Sequence, residues 1–224
     1  MDGFGRCSNV TDVAVTMRSI REPATNELRD SLSRDWTEYL DKLGFDVIPI
    51  LNGLSDPVAL FEHVSPDALL LTNGEDVGSH PPRDQTEQAL LNAAIEASIP
   101  ILGVCRGHQF INTYYGGDLT NLNEHMNDPT THVATNHDVQ IQDSPIELPD
   151  TLSVNSYHEM AVSTSDTASV LKPFATSDSG SIVEGLYHPK QPILSMQWHP
   201  ERDLPDREAV DDLVAGFLQG EHPW

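Results

Sequence analysis

The strongest constraint on this chain is a rhythm in its first half, where short apolar runs alternate with stretches of helical spacing. Val13 to Met17, Phe45 to Leu51, Ala68 to Thr72 and Pro100 to Val104 each read as a buried strand. Between them, Asn26 to Leu43 places Leu28, Leu32, Trp36, Leu40 and Leu43 at helical spacing, and Gly44 then ends that helix. Asp56 to His63, Asp84 to Ser98 and Arg106 to Tyr115 supply further helices. Strand and helix in alternation predict a parallel sheet covered by helices on both faces.

The second half changes character. From Gly117 to Ser195 the chain is rich in Asp, Asn, Thr, Ser and Pro, and His137 to Ile141 and Ser181 to Tyr187 alternate as antiparallel strands do. Leu194 to Trp198 reads as a late strand, and Arg207 to Leu218 as an amphipathic helix with Val210, Leu213, Val214 and Leu218 on one side. The expected class is therefore α/β: a mostly parallel central sheet with an added antiparallel region in the second half. The 224 residues fit one domain, with residues 1–11 as a polar leader and no internal repeat, low-complexity tract or linker.

Charge narrows the partners. Asp and Glu number 35 against 12 Lys and Arg, a formal charge of -23, which repels nucleic-acid phosphates and anionic membrane surfaces at long range. Neither nucleic acid nor membrane is expected as a partner. The only lysines are Lys42, Lys172 and Lys190, while acids occur in every segment. That pattern resembles a salt-adapted surface, because at molar salt the Debye length falls to about 3 Å and self-repulsion is screened; an ordinary acidic cytosolic protein is the other reading. Cys7 and Cys105 are too few for a disulfide framework, which suits a reducing cytoplasm. Met1 to Asp12 lacks a basic flank and a useful apolar run, so no secretory segment is expected. No run approaches the roughly 18 apolar residues that a membrane span requires.

Two motifs carry the chemistry. Ile101-Leu102-Gly103-Val104-Cys105-Arg106-Gly107-His108-Gln109 is an apolar strand turned directly into a helix with cysteine at the turn, the arrangement of a nucleophile elbow. Gly103 and Gly107 permit close approach, and the helix start favours thiolate. Alone, the segment is equally compatible with an inert buried cysteine. The second motif, Gln197-Trp198-His199-Pro200-Glu201, follows the late strand. A thiol needs a base and the base an orienting carboxylate, and residues two apart in an extended segment project the same way, so His199 and Glu201 can meet. Both motifs together, in the right order and on the right kinds of element, weigh against the inert reading.

These motifs resemble the class I glutamine amidotransferase-like superfamily, which implies a flavodoxin-like fold over nearly the whole chain. The resemblance implies Cys105 as nucleophile attacking a γ-glutamyl carbonyl to form a thioester, His199 as general base and acid, and Glu201 as the residue orienting the imidazole. Leu71-Thr72-Asn73-Gly74-Glu75-Asp76 resembles the family's glycine turn, which implies the amides of Gly74 and Arg106 as oxyanion donors; Asn73 stands where many relatives carry glycine. Gln109 and the segment Val154-Asn155-Ser156-Tyr157-His158 resemble the places that hold the α-amino and α-carboxylate ends of the glutamyl group. Packing beneath a loop is the structural alternative for Tyr157 and His158.

Arg106 after the cysteine and Gly116-Gly117-x-Leu119 after the elbow helix look more like the stand-alone γ-glutamyl hydrolases of the peptidase C26-like group, such as γ-glutamyl-γ-aminobutyrate hydrolases, than like ammonia-donating subunits. Glu27-Leu28-Arg29-Asp30 with Asp35-Trp36 resembles hydrolases acting on γ-glutamyl-CDP-amidate. Such an anionic substrate needs local cations, for which Arg29, Arg34, Arg83 and Arg106 are candidates, although Arg29 and Arg34 also fit the solvated face of the first helix. The resemblance thus implies a small γ-glutamyl substrate; an ammonia-donating glutaminase subunit and a non-catalytic binding module are the competing readings. His125, His132 and His137, with His80 and Asp76 elsewhere, match no metal-ligand spacing, so no metal is expected. Neither a P-loop nor a dinucleotide fingerprint occurs, which excludes nucleotide-driven ligation within this chain and leaves no cofactor expected. The oligomeric state is open.

Overall fold

The computed structural model describes residues 10–125, 133–177 and 180–221. In chain order the first half runs β1 (Thr11–Thr16), β2 (Arg18–Arg21), β3 (Leu28–Ser31), α1 (Arg34–Lys42), β4 (Phe45–Ile50), α2 (Pro57–Val64), β5 (Ala68–Leu71), α3 (Pro81–Ala97), β6 (Ile101–Val104) and α4 (Arg106–Tyr114). The second half continues with β7 (Thr120–Asn121), α5 (Leu122–His125), β8 (Val133–Ile141), β9 (Thr151–Tyr157), β10 (Met160–Ser163), β11 (Lys172–Ser177), β12 (Ile182–Tyr187), β13 (Ile193–Met196) and α6 (Arg207–Leu218).

An 11-stranded sheet forms the centre, with the main path β4-β1-β5-β6-β13-β12-β11-β8-β9. Strands β4, β1, β5, β6 and β13 pair in parallel. From β13 outward, β12, β11, β8 and β9 pair antiparallel. This is the parallel sheet with an antiparallel extension that the sequence pattern implies. The alternation of side chains explains its two covered faces. Val13, Val15, Leu70 and Leu102 pack with Trp36 and Leu40 of α1 and Val210, Leu213 and Val214 of α6. Ala14, Leu69, Leu71 and Ile101 point the other way, to Phe61 of α2, Leu90, Leu91 and Ala94 of α3, and Phe110 and Ile111 of α4. Because both faces are buried, β5, β6 and β13 are buried at every position.

One helix is shorter than its spacing suggests. The expected helix from Asn26 begins only at Arg34, and residues before it form the β2–β3 hairpin. Asn26 adopts a left-handed conformation (φ 57), and Glu22 N donates to Glu27 O at 2.8 Å to close the turn. Leu28, which matched the helical spacing, is 46% exposed. The helix starts where Ser33 Oγ accepts from Asp35 N at 3.3 Å, an N-cap that stabilises by about 1 kcal/mol. Gly44 (φ +85) ends it as the sequence suggests. Among the described residues no helix is long and apolar enough to cross a membrane. Most of the polar leader, Cys7 and His132 lie outside the described residues.

Candidate active site

Three adjacent strands create the site. β6 lies between β5 and β13, all three parallel, with Leu71 opposite Gly103 and Met196 opposite Val104. The residues that follow them, Thr72 to Gly74, Cys105 and Gln197 to His199, therefore leave the sheet side by side at its carboxyl edge, where open α/β sheets place their ligands.

Cys105 occupies the junction of β6 and α4 with φ 53 and ψ -103. Such a conformation costs a non-glycine residue on the order of 1–3 kcal/mol and is characteristic of functional sites. Its backbone is fixed on both sides, since Cys105 N donates to Met196 O at 2.8 Å and Cys105 O accepts from Gln109 N at 3.1 Å. The flanking glycines are required by space. A Cβ on Gly103 would sit 2.7 Å from the Gly107 carbonyl oxygen, and one on Gly107 would run into the Leu71 carbonyl. The thiol is buried to 9% exposure at the first turn of α4, where free amides and the helix dipole favour negative charge.

His199 Nδ1 lies 2.8 Å from Glu201 Oε1, and both side chains are buried. Pro200 and Glu201 form a turn closed by Arg202 N donating to His199 O at 3.2 Å, so the two side chains meet across a turn and not along an extended segment. The late strand ends at Met196; Gln197 N still donates to Glu184 O of β12 at 2.8 Å, and the chain then leaves the sheet. With Nδ1 engaged by Glu201, Nε2 is the nitrogen of His199 left for Cys105, whose side chain is close enough to act on the imidazole. Burial alone lowers the His199 pKa, but the Cys105 sulfur and then Glu201 outweigh it and raise it to about 9. The sulfur and the carboxylate together thus favour the protonated imidazole.

The turn after β5 is anchored from below. Arg83 is fully buried and donates from Nη2 to Thr72 O at 2.9 Å and Asn73 O at 3.0 Å, from Nη1 to Glu75 Oε2 at 2.7 Å, and from Nε to Glu87 Oε1 at 2.9 Å. Asn73 Oδ1 accepts from Trp36 Nε1 at 2.9 Å, so the asparagine in place of glycine is held by α1. Gly74 follows with φ +150, and a Cβ there would strike the Arg83 guanidinium. The Arg106 side chain turns inward to Glu87 and Asp84, leaving its main chain to the first turn of α4.

These contacts correct the expected cations. Arg83 and Arg106 are buried in ion pairs inside the domain. Arg29 lies on β3, not on a helix, bonded to Glu22 and Glu27, and Arg34 on α1 points to solvent beside Glu38. None of the four offers an unpaired guanidinium at the thiol.

The expected glutamyl-binding residues divide. Tyr157 is 43% exposed and sets its ring edge-on to His199 at 5.5 Å between centroids. Gln109 is buried, with Nε2 donating to Met160 O at 2.6 Å and Gln197 Oε1 at 3.2 Å. Ser156 and His158 are buried, and His158 Nδ1 lies 3.1 Å from Met160 O. Asn155 has both ends of its amide engaged by the His199 loop, so it positions the imidazole. Sequence reasoning missed that role, and also Arg202, whose guanidinium covers Tyr157; neither belongs to a spacing pattern.

His137 Nε2 lies 3.2 Å from the buried carboxylate of Glu184, which also accepts from Ser177 Oγ at 2.8 Å. Nearby, His108 Nδ1 meets Ser195 Oγ at 3.0 Å, and burial lowers its pKa to about 4. Among the described residues no three His, Cys, Asp or Glu side chains group as metal ligands.

A family model described as Peptidase C26 matches residues 48–201, a span that includes Gly74, Cys105, Arg106, His199 and Glu201. Gamma-glutamyl-gamma-aminobutyrate hydrolase of Shigella flexneri is 31% identical over 190 residues, 77% of this chain and 72% of that protein. Anthranilate synthase component 2 of Pseudomonas putida is 30% identical over 194 residues, 85% of this chain and 92% of that one. In fold, the chain matches the glutaminase domain of Trypanosoma brucei CTPS with bound acivicin, with a TM-score of 0.70 over 96% of each chain at 14% identity.

Proposed function

Given that the chain belongs to the Peptidase C26 family, we propose that it is a cysteine hydrolase that cleaves the γ-glutamyl amide bond of a small metabolite and releases glutamate. The observation that carries this reading is the convergence of Cys105, in its strained elbow, with a His199 already oriented by Glu201 at 2.8 Å.

In this reading the Cys105 thiolate attacks the γ-carbonyl carbon and forms a C–S bond, and the carbonyl electrons move onto oxygen. The amides of Gly74 and Arg106 receive that oxyanion; one such donor typically contributes about 100-fold to 1,000-fold in rate. As the tetrahedral centre collapses, the C–N bond breaks and His199 passes its proton to the departing amine. Water, deprotonated by the now neutral His199, then attacks the thioester, and glutamate leaves with the thiolate restored. Glu201 keeps Nδ1 of the imidazole oriented through both half-reactions.

The leading substrate is γ-glutamyl-CDP-amidate, followed by a γ-glutamylated amine such as γ-glutamyl-γ-aminobutyrate. Within the segment that suggests the former, Trp36 braces the site by holding Asn73 through a 2.9 Å hydrogen bond. The reading includes a cytoplasmic setting and a salt-adapted surface, both resting on composition.

Purified protein incubated with a panel of γ-glutamyl amides should release glutamate, and Cys105→Ala should abolish release while leaving the fold intact. Retained hydrolysis in that variant would falsify the nucleophile assignment. A second reading, an ammonia-donating subunit, draws on the 92% of anthranilate synthase component 2 that the chain covers. It requires co-purification with a synthase and glutaminase activity only in that partner's presence. A binding module that kept the fold would leave Cys105 unlabelled by acivicin.

A further inference from the structure

Cations are scarce in this chain, and most of those around the site donate hydrogen bonds to protein. Arg18, beside Gly74, and Arg202 each face a carboxylate only beyond hydrogen-bond distance; of the two, Arg202 also lies over an aromatic ring. Arg202 follows Glu201 directly, and its Cζ lies 4.4 Å from the centre of the Tyr157 ring, whose edge in turn faces the His199 imidazole at 5.5 Å. The nearest carboxylate oxygen, Glu201 Oε1, is 3.7 Å from Nε, too long for a hydrogen bond. Among the described residues, the guanidinium of Arg202 makes no hydrogen bond to protein, and neither does the Tyr157 hydroxyl, while Arg202 remains 33% exposed and Tyr157 43% exposed.

A ring stacked beneath a guanidinium fixes its plane without occupying its donors. The result is a preset fork of N–H groups beside a phenol O–H, at the histidine that protonates the leaving amine. That donor set complements the flat or tetrahedral oxygens of a carboxylate or a phosphate. Resting on the hydrolase reading above, we propose that Arg202 and Tyr157 form a subsite that selects γ-glutamyl amides whose amine portion carries an anionic group. The position accounts for the absence of an available cation among Arg29, Arg34, Arg83 and Arg106. It also gives a chain of charge -23 a local means of admitting a negatively charged substrate.

The test is a comparison of kcat/KM for glutamate release from four amides. Two are anionic, γ-glutamyl-γ-aminobutyrate and N-(γ-glutamyl)-O-phosphoethanolamine; two are their neutral counterparts, γ-glutamyl-butylamine and γ-glutamyl-ethanolamine. Arg202→Gln should lower the ratio of anionic to neutral kcat/KM by about 10- to 100-fold, the size of a lost charge-assisted pair. Tyr157→Phe, which keeps the ring under the guanidinium, should lower the same ratio by a smaller factor. Arg34→Gln removes an equal charge from remote solvent and should leave it unchanged. The larger fall within the carboxylate or the phosphate pair identifies the preferred anion. An unchanged ratio in Arg202→Gln, with wild-type protein active, overturns the subsite alone. A wild-type protein that cleaves neither these four nor γ-glutamyl-CDP-amidate overturns the hydrolase reading, and the subsite with it.

Discussion

Asn155 and His199 are joined by two reciprocal hydrogen bonds: His199 N donates to Asn155 Oδ1 at 2.8 Å, and Asn155 Nδ2 donates back to His199 O at 2.8 Å. A third bond, from Nδ2 to Asp203 O at 2.9 Å, ties in the turn beyond Glu201. A buried side chain on β9 thus sets the main-chain path of the loop that carries the proposed base.

Replacing Asn155 by Ala leaves buried main-chain groups unpaired, at a cost of about 1–3 kcal/mol, and frees the imidazole to wander. We expect kcat to fall about 10- to 100-fold with KM nearly unchanged, since misplacement of a catalytic group by an ångström has effects of that order. Steady-state kinetics with thermal melting checks both parts; a loss of Tm without a loss of kcat would refute the positioning role.

The pH profile follows from His199. Its folded-state pKa lies above the ordinary 6.5, at about 9, despite opposing burial, because Cys105 and Glu201 favour the imidazolium. The proposed general acid therefore persists through neutral pH, and kcat/KM should decline as pH rises through about 9. Stability shares the sign: the contribution is fully present below pH 6.5 and lost as pH climbs through about 9. Glu201→Gln removes one of the raising groups and should move the alkaline limb to lower pH, which a kcat/KM profile of the variant reads directly.

Arg83→Lys tests the turn that presents Gly74. Lysine keeps the charge beside Glu75 and Glu87 but cannot span the carbonyls of Thr72 and Asn73 together. The variant should fold, melt at a lower temperature, and lose about 10-fold or more in kcat through a displaced oxyanion donor. Equal kcat in the variant would show that the turn holds its shape without the fork.

Salt dependence tests the reading of the acidic surface. With a charge of -23, self-repulsion in dilute buffer should depress Tm and activity, and molar potassium chloride should restore both by screening. Indifference to salt across that range would leave an ordinary acidic protein.

Much of this architecture was readable from residues. The apolar runs at Ala68 and Ile101 became central strands because both sheet faces are covered, and Gly103 and Gly107 announced a tight elbow because no side chain fits there. What stayed hidden depends on distant partners. Leu28 kept helical spacing by coincidence, and only the pairing of β2 with β3 shows that it belongs to a hairpin. The role of Asn155 depends on a loop 44 residues away, and the place of Arg202 over the Tyr157 ring depends on a strand far from it in the chain. Arg83 and Arg106 look like surface charges in a linear reading, and their burial is set by Glu87 on α3.

The sheet order also says when chemistry can begin. β13, formed almost last along the chain, inserts between β6 and β12, which flank it on either side. A nascent or clipped polypeptide ending before Ile193 would hold its thiol opposite an empty slot, with two raw sheet edges facing each other and no imidazole in reach. The proposed hydrolysis would therefore report closure of the sheet, and unfinished copies would stay chemically silent.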